Sequence, residues 1–334
     1  MLRHFATSIW IARKSWRSSI SSAQTAIVRS RRRIVARPDL LAGVPAETPK
    51  GRLAIIAGSG LLPLYVAEAA RRAGEDPLIV PLKNEADRDF SAFECVPASV
   101  GDLATIEKAV RDRGIGRVVM SGGVARRPEW REIRPTWRTI RKMPSVVRTL
   151  LAGGDDTVLQ MVIRLFEAMG CEVMGVHQIA PDLLATVGPV GAVKPSDDDR
   201  RDVHKAGHAA RLLGELDVGQ GSVSVGGRIV ALEGVEGTDA MLQRVAALRA
   251  AGRVSARRKG VLVKLCKPQQ DIRADLPTIG PSTVRNAVAA GLGGIAVEAG
   301  RALVLDREDM IALADAEGIF VCGIDAGLPD EGLS

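Results

Sequence analysis

Aromatic residues are scarce in this chain of 334 residues: five Phe, four Trp and one Tyr make up only 3% of it. A core suited to such a length must therefore be built from aliphatic side chains. Histidine is rarer still. Apart from His4, only His177, His204 and His208 remain, and there is no Gly-Asn-His segment. That supply falls short of the several His, Asp and Asn ligands that a dinuclear metallophosphoesterase uses. His204 and His208 are four apart on a helical pattern, but with no third ligand nearby and no H-E-x-x-H arrangement they do not read as a zinc site. Cys95, Cys171, Cys266 and Cys322 lie far apart beside apolar residues and without C-x-x-C spacing. They read as reduced core residues of a cytoplasmic protein. No apolar stretch reaches the roughly 18 residues that a membrane helix needs.

The charge is uneven. Residues 1–50 hold ten Lys or Arg against Asp39 and Glu47, a balance of +8, and since the whole chain carries +7, residues 51–334 sum to −1. Nucleic-acid binding by the body of the protein loses its electrostatic support. The first 50 residues, rich in Arg and Ser, have the composition of a transit peptide, and equally that of a disordered or non-native extension. They are left out of the fold argument. A second basic stretch, Arg126 to Arg148, has eight basic residues with Trp130 and Trp137 among them. It suits an anionic bilayer surface or substrate, and equally a solvated helix face.

Short apolar runs alternate with helical patterns along the rest, which predicts an α/β fold with a parallel sheet. Leu53–Ala57 reads as a strand, followed by Gly58-Ser59-Gly60 and a helix from Leu62 to Ala73 that Gly74 stops. Strand, glycine loop and helix together can cradle a phosphate on backbone N–H groups. As a dinucleotide fingerprint the segment fails, because Pro63 takes the third glycine position and Lys83 stands where an acid would hold the ribose. A nicotinamide oxidoreductase is therefore disfavoured. A helix Asp102–Arg113 and a strand Arg117–Met120 lead to a second small-residue loop, Ser121-Gly122-Gly123-Val124. Two such loops after two strands point to one crevice. A helix Asp155–Met169 and a strand Cys171–Val176 complete a domain over 51–180.

Residues 181–195, with three prolines and two glycines, read as a linker. A second unit, 196–326, opens with Ser196 as N-cap before Asp197-Asp198-Asp199, acids suited to a helix dipole. Ser222–Val225 and Arg228–Leu232 flank Gly226-Gly227 as a hairpin. Thr238 is the expected N-cap of a helix running to Ala250, and Glu236 and Asp239 stand just beyond the second hairpin strand. After an apolar run, Gly260–Cys266, comes the polar loop Lys267–Gly280, stiffened by Pro268, Pro277 and Gly280. Lys267 and Arg273 can meet a phosphate, Asp271 or Asp275 can hold a divalent cation or orient a water, and Gln270 and Thr278 can donate hydrogen bonds. A polar turn whose charges pair with one another would look the same.

Five ordered segments carry a family resemblance. They are Ile56 to Pro63, Gly153 to Asp156, Asp217 to Gly221, Glu236 to Leu242 and Lys267 to Gly280. The chain from about Leu53 to Ile324 resembles the LpxI-type UDP-2,3-diacylglucosamine pyrophosphatases of lipid A biosynthesis. That likeness implies a Rossmann-like N-terminal domain and a second α/β domain with the lipid ligand held between them. It implies hydrolysis of UDP-2,3-diacylglucosamine to 2,3-diacylglucosamine 1-phosphate and UMP with Mg²⁺, Asp275 being essential. Asp271, Lys267 and Arg273 join it as expected catalytic residues. Gly58, Ser59, Gly60, Gly122, Gly123, Gln270 and Thr278 are expected at the substrate, and Asp275, Glu236 and Asp239 at the metal. Gly123 departs from the Asn found there in relatives, which removes a side-chain contact. A substrate with two acyl chains further implies transient contact with the inner face of the cytoplasmic membrane, and leaves a homo-oligomer open. The rival reading is a non-catalytic lipid or nucleotide carrier.

Overall fold

The computed structural model describes residues 51–124, 155–325 and 327; the basic extension 1–50 and the basic stretch 126–148 lie outside the described residues. In the first half, β1 (Arg52–Ala57), β2 (Leu78–Pro81), β3 (Glu94–Cys95), β4 (Ile115–Ser121) and β5 (Glu172–Met174) form a wholly parallel sheet in the order β3-β2-β1-β4-β5. Its central strand is apolar on both faces because both faces are covered. Leu53, Ile55 and Ala57 pack with Val66, Ala67 and Ala70 of α1 (Leu62–Arg72). The alternate residues Ala54 and Ile56 pack with Ile106 and Ala109 of α2 (Leu103–Asp112) and with Ile163 and Phe166 of α3 (Asp155–Met169). The side-chain period of two along a strand sends neighbouring residues to opposite faces in this way.

The second half holds a mixed sheet. Its strands are β6 (Gly188–Pro189), β7 (Gly221–Val225), β8 (Arg228–Leu232), β9 (Val261–Lys264), β11 (Gly294–Glu298) and β13 (Phe320–Ile324), in the order β6-β13-β11-β9-β7-β8. The inner strands β9, β11 and β13 are parallel, and the outer ones pair antiparallel. A separate parallel pair joins β10 (Thr278–Ile279) to β12 (Leu303–Val304). One face is covered by α5 (Asp197–Glu215) through Val203, Ala206 and Ala210. The other is covered by α6 (Gly237–Ala250), α7 (Pro281–Ala289) and α8 (Arg307–Ala316) through Met241, Val284 and Met310. Both halves are thus α/β, with helices on each side of a sheet.

Local signals held where nothing distant competed. Ser196 accepts from Asp199 N–H while the Asp199 carboxylate accepts from Ser196 N–H, a capping box. Gly226 and Gly227 take φ of 62° and 80°, as a two-residue hairpin turn requires. Elsewhere tertiary partners won. Val176 does not extend a strand but opens α4 (Val176–Ile179). Thr238 does not cap α6: the helix starts at Gly237, and the Thr238 hydroxyl donates to buried Glu233 at 2.7 Å. The segment 181–195 carries a short 3₁₀ turn, Pro181–Leu183, and the strand β6, which adds to the edge of the second sheet. Proline is admissible there because an edge strand has no outer neighbour to receive its N–H.

Candidate active site

The order of the first sheet reverses between β1 and β4, so the loops that leave these neighbouring strands frame a crevice at their carboxyl ends. Gly58-Ser59-Gly60 follows β1, and Gly122-Gly123 follows β4. The two loops pair with each other. Ser59 N–H donates to Gly123 O at 2.8 Å, Gly123 N–H donates to Ser59 O at 3.0 Å, and Gly58 N–H donates to Ser121 O at 2.8 Å. In the first loop Gly60 N–H donates to the Asp87 carboxylate at 2.8 Å. The phosphate cradle expected of this loop is therefore already engaged by the protein's own oxygens. Parallel neighbours end side by side, and their continuations satisfy one another's backbone groups before any ligand arrives. The glycines instead permit contact: a Cβ on Gly58 would lie 2.2 Å from Gly123 O.

A cavity of about 280 Å³ opens beside this wall. Ser59, Gly60, Gly122 and Gly123 line it from the first sheet, and Arg273, Asp275 and Thr278 from the loop after β9. Leu61, Leu62, Val176, Leu276, Leu303 and Leu305 supply an apolar side. Seven residues expected at the site from sequence thus face one space, although the chain separates the two groups widely.

Within the β9 loop each polar residue has a definite task. Gln270 is buried, accepts from Lys267 N–H at 3.2 Å through Oε1 and donates to Asp275 Oδ2 at 2.7 Å through Nε2. It orients Asp275, which is exposed on the cavity wall, and does not itself line the cavity. Asp271 accepts from Arg273 Nε at 3.0 Å and Nη2 at 2.8 Å, a forked pair, and also from Arg273 N–H at 3.0 Å. The Arg273 contacts hold the Asp271 carboxyl below its ordinary range and push the guanidinium above its own. Arg273 Nη1 reaches Glu167 of α3 at 3.2 Å. Lys267 Nζ pairs with Asp217 at 2.7 Å and stands back from the cavity lining. Thr278 donates its hydroxyl to Leu276 O at 3.1 Å, while its carbonyl accepts from buried Lys264 at 3.2 Å.

Family models for the LpxI N-terminal domain and the LpxI C-terminal domain match residues 52–183 and 186–322 respectively. The chain belongs to the LpxI family. A curated relative from Caulobacter vibrioides (strain ATCC 19089 / CIP 103742 / CB 15), UDP-2,3-diacylglucosamine pyrophosphatase LpxI, is 41% identical over 275 residues, covering 82% of this chain and 98% of that protein.

The two LpxI domains share packing and polar ties. Cys266, Leu276 and Leu303 of the C-terminal domain belong to the same core cluster as Ile55 and Val66 of the N-terminal one. Arg273–Glu167 spans both domains, as does a hydrogen bond from Tyr65 on α1 to Asp306 at the start of α8. Burial first, and the Asp306 carboxylate second, push the Tyr65 phenol up to about 12. A phenol that holds its proton more tightly when folded favours the folded state below its ordinary pKa of 10.0, and that contribution fades as pH rises through about 12. The chain has a single tyrosine. Tyrosinate absorbance in an alkaline titration is expected to rise with a midpoint near 12 in the native protein, and at a lower pH in Asp306→Ala that stays above the ordinary 10.0, because the burial that contributes most is retained.

The expected metal ligands are not brought together. Glu236 and Asp239 follow β8 at the edge of the sheet, two strands from β9, which is about 10 Å of strand spacing. Glu236 pairs with Arg244 at 3.1 Å, Asp239 accepts from Asn286 at 2.8 Å, and neither lines the cavity. Among the described residues no group of three or more His, Cys, Asp or Glu side chains can hold a metal ion. Asp275 by itself does suit Mg²⁺, which commonly takes one or two carboxylates and completes its shell with phosphate oxygens and water.

Several neighbours escaped the sequence reading. Behind the loop, Glu298 accepts from Cys266 N–H at 2.9 Å and pairs with Arg301 at 3.3 Å, and Arg301 donates to Cys266 Sγ at 3.4 Å. Burial pushes the Cys266 thiol up to about 11, so it is an inert packing group at neutral pH. Glu298 at the end of β11 and Arg301 just beyond it sit where charged residues at a strand's carboxyl end are a signal for a site. Asp87 and Glu167 carry no such local signal.

Proposed function

We propose that this protein hydrolyses the pyrophosphate bond of UDP-2,3-diacylglucosamine, releasing UMP and 2,3-diacylglucosamine 1-phosphate in lipid A biosynthesis. The observation that carries this reading is the oriented Asp275 on the wall of a cavity bounded by both LpxI domains. Membership of the family and the relative's name support the substrate class. Gln270 fixes Oδ2 and leaves the other Asp275 oxygen to the reacting diphosphate. There it accepts from the attacking water, whose oxygen bonds to phosphorus as the bridging P–O bond breaks and UMP departs. Mg²⁺, held by Asp275 and the substrate's own phosphates, would supply positive charge to the phosphate oxygens. Arg273, drawn toward Asp271 and Glu167, holds the loop to α3 and keeps a cation at the rim of the cavity. Apolar Leu61, Leu62, Leu276 and Leu303 suit the lipid-bearing side of the substrate. Among the described residues no helix is long and apolar enough to cross a membrane. The acylated substrate therefore brings the protein to the inner membrane surface transiently.

The test is UMP release from UDP-2,3-diacylglucosamine dispersed in detergent with Mg²⁺. Stoichiometric UMP and 2,3-diacylglucosamine 1-phosphate are expected. Saturable binding of the substrate with no UMP formed would support the carrier reading instead.

A further inference from the structure

A diphosphate presents only acceptor oxygens, so the site that holds it must supply donors. Several donors on the first-sheet wall are spent. Gly58, Ser59, Gly60 and Gly123 N–H groups all donate within the protein. Three hydroxyl-bearing residues line the cavity, Ser59, Ser121 and Thr278. Ser59 donates to Gly123 O at 3.1 Å and Thr278 to Leu276 O at 3.1 Å. Ser121 differs. Its residue is 6% exposed, and its Oγ is buried without any hydrogen-bond partner.

We infer that Ser121 is a substrate-contacting residue, its hydroxyl donating to an oxygen of the diphosphate across the cavity from Asp275. The inference rests on the function proposed above and adds a binding group to that site. A buried hydroxyl without a partner costs folding free energy, and such strain at a ligand site is a sign that a partner arrives with the ligand. Position supports it too. Ser121 is the last residue of β4, at the strand reversal, and its carbonyl is held by Gly58 N–H, so its Cβ is fixed at the cavity wall. A change of χ1 among the three staggered wells can re-aim the hydroxyl without moving the backbone.

The experiment compares the full chain with Ser121→Ala in three measurements: kcat/KM for UMP release, melting temperature without ligand, and the melting shift produced by UDP-2,3-diacylglucosamine. A hydrogen bond to a charged group predicts a 10- to 100-fold loss in kcat/KM, on the order of what such bonds contribute. The unliganded melting temperature should hold or rise, since Ala removes an unsatisfied group, and the ligand-induced shift should shrink. A kcat/KM within twofold of the parent overturns the inference. So does a fall in unliganded melting temperature of several degrees, which would make the hydroxyl a structural group. Should the parent chain bind the substrate without releasing UMP, the hydrolase reading fails, and Ser121 is judged by the ligand-induced shift alone. A parent that neither binds nor turns over the substrate sinks both.

Discussion

Asp275→Asn is expected to lower kcat for UMP release about a thousandfold while leaving the melting temperature almost unchanged. A positioned carboxylate working as acid, base or cation ligand contributes about 10² to 10⁴ in rate, and the amide keeps the size of the side chain while losing its charge. It also keeps an acceptor for Gln270 Nε2, which donates to Asp275 at 2.7 Å. Asp275→Ala separates the two roles. It should lose as much activity and in addition about 1 to 3 kcal/mol of stability, because the amide of buried Gln270 is left without its partner. Steady-state kinetics and urea denaturation on both variants decide the matter. Turnover by Asp275→Asn within about tenfold of the parent, or roughly 1.4 kcal/mol of barrier, would remove Asp275 from the centre of the mechanism.

Gly58→Ala should damage both fold and activity, through backbone crowding. The added Cβ would stand 2.2 Å from Gly123 O and 3.0 Å from the carbonyl carbons of Gly122 and Gly123. Backbone atoms in paired loops cannot rotate aside as a side chain can. The loops must part, straining the two Ser59–Gly123 bonds, at a cost of about 2 to 4 kcal/mol from overpacking and weakened hydrogen bonds. The cavity wall moves with them, and a displacement near 1 Å costs about 10² in rate. Gly60→Ala is the control. At φ +89° with nothing within 4 Å of the added atom, it pays about 1 to 2 kcal/mol for the left-handed backbone and meets no clash. Equal melting temperatures for Gly58→Ala and the parent would show that the two loops are not held as close as described.

The site was legible where one stretch of chain carries it. Lys267 to Gly280 combines prolines, a glycine and charges after an apolar strand, and it does form the loop on which Asp275 stands. The glycine loop was half legible. Gly58, Gly122 and Gly123 announce that something must come close, but residue spacing cannot say whether that is a phosphate or another loop. Gly123 O and Asp87 turned out to occupy the amides. Glu236 and Asp239 stood beyond a strand just as Asp275 does, yet position along the chain says nothing of how far apart two strands lie in a sheet.

By itself the sequence determined the longer strands and helices, though not α4, β3 or β6, along with the Ser196 cap, the Gly226-Gly227 turn and the loop that bears Asp275. Each of these depends on bonds within a few residues or on the period of apolar side chains, and both are written locally. Only the tertiary structure decided that β1 lies beside β4, that their loops consume one another's amides, that Glu167 and Asp271 share Arg273, and that Ser121 is left with a free hydroxyl. Those outcomes turn on the order of strands in a sheet and on donors and acceptors far apart in the chain, where pairing is settled by geometry that no local pattern contains.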